Sequence, residues 1–391
     1  MEHSSSRLLA DVDAQLAQWQ AQGLLRQRRT VQSPCSVAPQ VQGQRLLAFA
    51  SNDYLGLANH PAIAAALAEG AQRWGAGSGA SHVVSGHLQP VAELEEALAA
   101  FVGRAQALFF SSGYLANLAA LPALLERGDV VFHDKLNHAS LIDAVRLGRA
   151  QDWRYPHGDM AALERLLQQH RGRRAMIVSD AVFSMDGDVA PLRQLYALAC
   201  AHDAWLVLDD AHGLGVLGPG GAGSLAQAGL PPDPRIVHIG TLGKAAGVAG
   251  AFVAGDARVL QWLVQRARPY IFTTASPPAL ACALLAALPL VQAGDALRAQ
   301  LQARIAQLRA GLAGSPWRLL PSDTAIQPLL LGSNEAALAA SQALQAQGLW
   351  VPAIRPPTVP VGSARLRISL SAAHSAGDVA RLLQALQGLA P

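Results

Sequence analysis

The sequence predicts an α/β protein with a mostly parallel central sheet, helices on both faces of that sheet, and a smaller C-terminal α+β domain. Short apolar runs alternate with helical patterns between residues 91 and 240, which is typical of a parallel sheet covered on both sides. A long helical pattern near 278–313 then changes the rhythm. We therefore expect an N-terminal helix and arm over residues 1–50, a large α/β domain over 51–285 and a small domain over 286–391.

The individual elements follow from apolar periodicity, taken in chain order. Residues 8–29 are predicted to form an amphipathic helix outside the main core, followed by a strand at 45–49, a helix at 63–74 and a glycine-rich loop at 75–87. The predicted strands of the sheet are 105–110, 129–132, 152–155, 174–180, 205–209 and 236–240, and the intervening helices are 91–102, 114–125, 138–147, 159–170 and 191–202. The short connection to a strand at 250–254 makes that strand an antiparallel neighbour. Strands near 317–320, 326–331, 349–353 and 364–370 and helices near 334–347 and 376–388 complete the chain.

The composition excludes several classes of protein. With 391 residues, of which 51% are hydrophobic and 15% charged, the chain is expected to fold rather than remain disordered. A formal net charge of +3 and the lack of a long basic block argue against a nucleic-acid binder. The cysteines are scattered, which predicts neither a disulfide framework nor a zinc site, and the apolar stretch at 279–291 is too short to span a membrane. No signal-peptide pattern begins the chain, and we expect a cytoplasmic protein.

Lysine usage points to one residue. Lysine and arginine together number 30, yet Lys135 and Lys244 are the only lysines. A lysine amine can lose its proton and attack a carbonyl, whereas arginine stays protonated. Lys244 follows the predicted strand 236–240, and Asp209 ends the strand 205–209. Because ligands bind at the carboxyl ends of strands in such sheets, this pair predicts a pyridoxal phosphate (PLP) site, with lysine forming the Schiff base and aspartate pairing with the pyridinium nitrogen.

Other polar groups also follow predicted strands, and each has more than one interpretation. The segment from Ser111 to Tyr114 suits a phosphate at a helix N-terminus or a simple turn. The segment 133–138 contains histidines that suit a metal, a ring stacked on a flat cofactor or a solvated loop, but no third metal ligand stands at convincing spacing. The carboxylates of 182–188 suit a cation or a polar turn, and the basic cluster 26–29 suits a solvated helix end or a binding site. We predict no metal site.

One apparent motif does not fit its context. Gly213, Gly215 and Gly218 match the dinucleotide-binding pattern G-x-G-x-x-G. That pattern must open a helix whose N-terminus receives a pyrophosphate, and Pro219 followed by two glycines breaks any such helix. A nicotinamide-dependent enzyme is therefore disfavoured.

Four blocks of sequence resemble the α-oxoamine synthase family of fold-type I PLP-dependent enzymes, and the similarity extends from about Gly23 to the C-terminus. These blocks are SNDYLGL at 51–57, FSMDGD at 183–188, DDAHG at 209–213 and TLGK at 241–244. The block AIRPPTVP at 353–360, followed by Arg365-Leu366-Arg367, favours the branch that serves biotin synthesis over its glycine-using relatives. The chain departs from the family at Asp180, where a glutamate is usual.

The resemblance implies roles around the cofactor. It implies that Lys244 carries the Schiff base and moves protons, that Asp209 pairs with the pyridinium nitrogen, and that His138 stacks on the ring. The residues implied to reach the ring hydroxyl are Ser184 and His212. The residues implied to hold the phosphate are Gly113, Tyr114 and Thr241, together with Thr273 and Thr274 from a second subunit.

The resemblance also implies substrates and partners. Asn52 and Arg355 are expected near the carboxylate of the amino acid, and Arg26 and Thr358 on the side of the acyl chain. The implied reaction is a decarboxylative condensation of L-alanine with a pimeloyl thioester of CoA or acyl carrier protein, in a homodimer with composite sites. Glycine C-acetyltransferase, which uses glycine and acetyl-CoA, is the nearest alternative. A PLP-dependent aminotransferase and a catalytically silent scaffold are further alternatives.

Overall fold

A computed structural model describes residues 6–389, which divide by their contacts into two compact units. The smaller unit contains residues 6–51, Met185–Gly187 and 301–389, and the larger contains Asn52–Ser184 and Asp188–Gln300. The domain boundaries predicted from the sequence, at residues 50 and 285, stay a prediction beside this division.

The smaller unit begins with a helix and three short strands, which are α1 (Arg7–Ala21), β1 (Gln40–Val41), β2 (Gln44–Arg45) and β3 (Leu47–Ala48). No residue of α1 is buried, in agreement with a helix outside the core. The helix ends at Ala21 rather than at residue 29, because Gly23 adopts a φ of +64°, which is a left-handed conformation that stops helices.

The larger unit is built on a seven-stranded sheet. Its strands are β4 (Gln106–Phe110), β5 (Val130–Asp134), β6 (Gln151–Tyr155), β7 (Ala175–Asp180), β8 (Trp205–Asp209), β9 (Ile236–Thr241) and β10 (Ala251–Gly255). The strand order is β4-β10-β9-β8-β7-β5-β6, in which β10 runs antiparallel to both neighbours and the other pairs are parallel. The predicted mostly parallel sheet and the antiparallel strand near 250–254 are both confirmed.

Helices cover both faces of this sheet. The helices of the larger unit are α2 (Pro61–Trp74), α3 (Gln89–Phe101), α4 (Gly113–Leu124), α5 (Ala139–Leu147), α6 (Met160–Gln169), α7 (Leu192–Ala201), α8 (Ser224–Gln227), α9 (Ala257–Arg266), α10 (Arg268–Ile271) and α11 (Pro278–Gln292). Successive residues of one strand enter different cores: Val131 packs with α4 and α5, whereas Phe132 packs with α6 and α7. A short π-helix, His82–Gly86, interrupts the segment predicted as a loop.

The long helical pattern near 278–313 corresponds to two helices. Helix α11 ends at Gln292, and α12 (Asp295–Leu312) begins after Ala293 and Gly294, with a bend of 68° between the two. Among the described residues, no single helix is long and apolar enough to cross a membrane, and these two meet that criterion only together. Helix α11 packs against α2 and α3.

The remaining elements of the smaller unit are β11 (Arg318–Leu319), β12 (Ile326–Gly332), α13 (Asn334–Ala346), β13 (Leu349–Trp350), β14 (Ala353–Ile354), β15 (Ala364–Ser369) and α14 (Ala376–Gln387). Four of the strands form an antiparallel sheet in the order β11-β12-β15-β14, while β13 pairs in parallel with β3. The strand predicted at 349–353 is therefore two strands with different partners. They separate at Pro352, which has no N–H to continue a ladder.

Candidate active site

The turns that follow β4, β5, β7, β8 and β9 lie at one edge of the sheet in the larger unit, because the carboxyl ends of parallel strands coincide. These turns carry most of the residues predicted for the cofactor. Asp209 is the last residue of β8, Thr241 is the last residue of β9, and Lys244 lies in the loop that follows.

Lys244 takes part in a chain of hydrogen bonds. Its Nζ lies 2.8 Å from Nε2 of His212, whose Nδ1 lies 2.7 Å from the hydroxyl of Tyr54. That hydroxyl donates to Oδ1 of Asn52 at 3.2 Å. One order of donors suits every group: Lys244 donates to His212, His212 donates to Tyr54, and Tyr54 donates to Asn52. The chain thereby links the predicted Schiff-base lysine to a predicted substrate residue.

Asp209 is buried, with 6% of its surface exposed, and both of its carboxylate oxygens accept hydrogen bonds. Oδ2 accepts from the side-chain amide of Asn117 at 2.7 Å, and Oδ1 accepts from the backbone N–H of Ala211 at 3.0 Å. The same amide nitrogen of Asn117 donates to Ser140 at 2.8 Å, and the Ser140 hydroxyl lies 2.7 Å from Nδ1 of His138. Asp209 and His138 therefore belong to one polar network.

Asn117 is a site residue that was not predicted from the sequence. It lies in the second turn of α4 and is completely buried. The signal was present in the sequence, since Asn117 is a lone amide in an otherwise apolar stretch, and a buried amide needs partners.

His138 caps α5, and its backbone N–H donates to Oδ2 of Asp180 at 2.6 Å. Although the ring is accessible to solvent, the surrounding protein displaces enough water to lower the pKa of His138. The charge of Asp209 opposes this change, and that of Lys244 reinforces it. Burial, and then the charge of Asp209, raise the pKa of Asp180 well above its ordinary value. The shorter side chain at position 180 thus still anchors the histidine turn.

The predicted phosphate residues lie at the start of α4. Ser112 caps this helix by accepting from the backbone N–H of Leu115 at 3.3 Å, and the first amides of a helix lack partners within it. A Cβ on Gly113 would lie 3.8 Å from the Cβ of Thr241, so the two residues are neighbours. The side chain of Tyr114 is exposed and its hydroxyl donates to the carboxylate of Asp143. Only the backbone N–H of Tyr114, at the start of α4, therefore supports its predicted role in phosphate binding.

Thr273 and Thr274 follow α10. Thr274 forms an antiparallel bridge with Ser81, and both threonines line a small cavity together with Ser111. Their expected contribution to the site of a second subunit stays a prediction.

Ser184 belongs to the larger unit and lies in a hairpin-like loop, residues 182–189, both ends of which also belong to that unit. The backbone N–H of Phe183 donates to the carbonyl of Asp188 at 3.0 Å, and Val182 bridges Val189. These contacts close the base of the loop, and Ser184 follows directly after that base.

The smaller unit brings together the other three predicted substrate residues. The guanidinium of Arg26 donates to the Thr358 hydroxyl at 3.4 Å, and the guanidinium of Arg355 donates to the carbonyl of Gly23. Burial, and then the positive charge of Arg26, lower the pKa of Arg355. Two guanidinium groups and a hydroxyl therefore lie close together, a combination suited to carboxylates.

The residues of the larger unit fit PLP. They supply an amine, a buried carboxylate for a ring nitrogen, an accessible imidazole for stacking, and the amides of a helix N-terminus for a phosphate. Within the described part of the chain, no group of three or more His, Cys, Asp or Glu side chains is arranged to hold a metal ion.

Comparisons with known proteins agree with this geometry. The family model for aminotransferase class I and II matches residues 44–386. An 8-amino-7-oxononanoate synthase of Herminiimonas arsenicoxydans is 62% identical over 95% of this chain and 97% of its own length. One of Dechloromonas aromatica is 60% identical over 97% and 99%. A solved structure of SPT with PLP internal aldimine is 29% identical, with a TM-score of 0.92 over 98% of both chains. The predicted family is thus confirmed: the chain belongs to the class I and II aminotransferase family and, within it, to the group of the 8-amino-7-oxononanoate synthases.

Proposed function

We propose that this chain is a PLP-dependent acyltransferase that condenses L-alanine with a pimeloyl thioester to give 8-amino-7-oxononanoate in biotin biosynthesis. The observation that carries the proposal is the Lys244 amine, 2.8 Å from His212, in the unit whose buried Asp209 offers a carboxylate to a ring nitrogen. Membership of the same group as relatives that are 60–62% identical supports this reaction over others of the family.

Each proposed cofactor residue of the larger unit has a specific role. Bound PLP supplies an electron sink for the α-carbon of the amino acid. Asp209 keeps the ring nitrogen protonated, and Asn117 keeps Asp209 oriented by its hydrogen bond. Lys244 holds the cofactor and takes and returns the proton at the α-carbon, while the accessible ring of His138 stacks on the cofactor. Ser184 and His212 contact the ring hydroxyl, and Gly113, Tyr114 and Thr241 hold the phosphate.

The overall reaction needs only one proton from solvent besides the two substrates. The α-carbon of alanine loses its proton and forms a bond to the acyl carbon, and the thiol of CoA or of the carrier protein leaves with a proton. The alanine carboxylate then departs as carbon dioxide, and the α-carbon takes up a proton in its place. Asn52 and Arg355 bind the alanine carboxylate, and Arg26 and Thr358 bind the far carboxylate of the pimeloyl chain. The proximity of Arg26 and Thr358 supports this assignment.

The proposal includes a cytoplasmic homodimer in which Thr273 and Thr274 complete the phosphate site of the partner. Support comes from exposed apolar side chains beside this segment, since Phe272 is 70% and Val84 77% exposed. Sedimentation at several protein concentrations tests the dimer, and a monomer at micromolar concentration would contradict it.

Product identification by mass spectrometry tests the reaction. The enzyme is incubated with alanine or glycine and with pimeloyl or acetyl thioesters of CoA and of acyl carrier protein. We expect the nine-carbon amino ketone and free thiol only from alanine with a pimeloyl donor. Glycine C-acetyltransferase is the alternative, and product from glycine and acetyl-CoA alone would establish it. Keto acid formed without any acyl donor would instead indicate an aminotransferase.

A further inference from the structure

His157 lies in the loop between β6 and α6 and contacts two carboxylates at once. Its Nδ1 lies 3.0 Å from Oδ1 of Asp134, and its Nε2 lies 2.9 Å from Oδ2 of Asp188. An ionised carboxylate only accepts hydrogen bonds, so both ring nitrogens must donate. His157 is therefore an imidazolium with its two N–H groups directed to two different loops.

Both aspartates are held by further hydrogen bonds. Asp134 is the last residue of β5, is 2% exposed, and also accepts from the backbone N–H groups of Leu136 and Gly158, at 2.8 and 2.9 Å. Asp188 closes the base of the hairpin-like loop by accepting from Phe183 through its carbonyl. The His157 ring meets the Phe183 ring edge-on, with 4.4 Å between centroids.

There are thus two anchors, Asp134 and the base of the hairpin-like loop at Phe183 and Asp188. Each anchor lies close in sequence to a residue of the proposed site. Ser184 follows Phe183 directly, and His138 lies four residues after Asp134. Between Asp134 and His138, Asn137 is also held, because its side chain accepts from the backbone N–H of Asp180 at 3.0 Å. A small displacement of either anchor would therefore move a cofactor-contacting residue.

We propose that His157 is a positioning residue, which ties the loop carrying Ser184 to the strand end that leads to His138 and so fixes both around the cofactor. The inference rests on the proposed function through the roles of Ser184 and His138. The hydrogen bonds that His157 donates to Asp134 and then to Asp188 raise the pKa of His157 to about 10, so this residue stays charged at neutral pH and serves as a fixed link rather than a proton carrier.

The test compares the full-length wild-type chain with His157→Gln, Asp188→Asn and His157→Arg. Glutamine places both of its N–H donors on one nitrogen and cannot span two carboxylates, whereas arginine keeps a cation with separated donors. His202→Gln, at the C-terminal end of α7 in the same unit, is the matched control. The measurements are the Kd of PLP for the apoprotein, the absorption spectrum of the loaded protein, kcat, KM and the circular dichroism spectrum.

We expect His157→Gln and Asp188→Asn to weaken PLP binding about tenfold, to shift the visible absorption maximum and to lower kcat about ten- to a hundredfold. His157→Arg should recover part of each loss, and His202→Gln should match the wild-type chain. A lower melting temperature with unchanged PLP affinity, spectrum and kcat would overturn the proposal. If His157→Gln does not fold, Asp188→Asn decides by the same measurements. A wild-type chain that binds PLP but forms no amino ketone contradicts the proposed function alone, because PLP affinity and spectrum still test His157.

Discussion

Nε2 of His212 lies 2.8 Å from Nζ of Lys244, while Nδ1 of the same ring lies 2.7 Å from the hydroxyl of Tyr54. The imidazole is therefore held at both nitrogens, and its orientation toward the lysine is set by a residue 158 positions away in the chain. Such a fixed ring keeps the lysine amine in one place before a substrate arrives, which lowers the cost of reaching the reactive geometry.

Lys244→Ala is expected to abolish turnover, with a loss of more than about a thousandfold, because the variant lacks both the covalent attachment and the proton carrier. The visible absorbance of lysine-bound cofactor should also disappear. Steady-state kinetics and absorption spectra provide the measurements. Lys135→Ala, which replaces the other lysine at an exposed position, should behave as the wild-type chain does. A Lys244→Ala protein that keeps the absorbance and the turnover would remove this lysine from the mechanism.

Tyr54→Phe is expected to lower kcat about tenfold, because the buried Nδ1 of His212 loses its partner while the ring packing remains. The measurement is kcat for the condensation as a function of pH, which reports a change in the His212 and Lys244 pair. Tyr196→Phe, which removes a hydroxyl bonded to Asp233 elsewhere in the unit, is the matched control and should leave kcat unchanged. Equal kcat and pH profiles for Tyr54→Phe and the wild-type chain would count against the hydrogen-bonded chain.

Asp209→Asn is expected to retain weak PLP binding but to slow removal of the α-proton of alanine by about a hundredfold or more, because a neutral amide cannot stabilise a protonated ring nitrogen. Deuterium exchange at the α-carbon, followed by NMR without acyl donor, isolates this step. Asp256→Asn, at the N-terminal cap of α9, should exchange at the wild-type rate. Unaltered exchange in Asp209→Asn would contradict the assigned role of this carboxylate.

Sequence patterns predict the functional residues that lie at or just after the ends of strands. Lys244 and Asp209 were found because apolar runs mark the strands and the topology rule places ligands at their carboxyl ends. Asn117 was missed because its partner Asp209 is 92 residues away, and the hydrogen bond between them depends on how α4 packs on the sheet. Periodicity describes one element at a time and carries no information about which buried polar groups meet.

The errors in the predicted elements have the same origin. The helix predicted over 8–29 extends through a break at Gly23, and the helical pattern near 278–313 likewise gives no sign of the break at Gly294. Apolar periodicity continues across such breaks, whereas the helical conformation of the backbone stops there. The role of His157 could not be predicted from the sequence either, because it depends on two carboxylates that only the fold brings into contact with this loop histidine.

Arg26→Ala is expected to raise KM for the pimeloyl thioester about ten- to a hundredfold with little change in KM for alanine, because the variant loses a charged partner for the far carboxylate. Kinetics with each substrate varied in turn provide the two values. Arg28→Ala, an exposed arginine of the same basic cluster, is the matched control and should change neither KM. Equal increases for both substrates would show that Arg26 does not distinguish the acyl chain.

His157 also makes a prediction about stability and pH. Its pKa rises from 6.5 to about 10 in the folded chain, so the folded state binds the proton more tightly than the unfolded state does. The resulting stabilisation is fully present below pH 6.5, declines as pH rises, and is lost near pH 10. The charged groups facing the ring are Asp134 of β5 and Asp188 of the hairpin-like loop.

The measurement is urea unfolding of the wild-type chain and His157→Gln at several pH values between 6 and 10. We expect the difference in their unfolding free energies to be largest near pH 6 and to shrink steadily toward pH 10. In an Asp188→Asn background the same comparison should give a smaller difference at every pH, because one of the two hydrogen bonds that raise the pKa is already weakened. A difference that stays constant or grows with pH would show that the His157 proton is not held by these carboxylates.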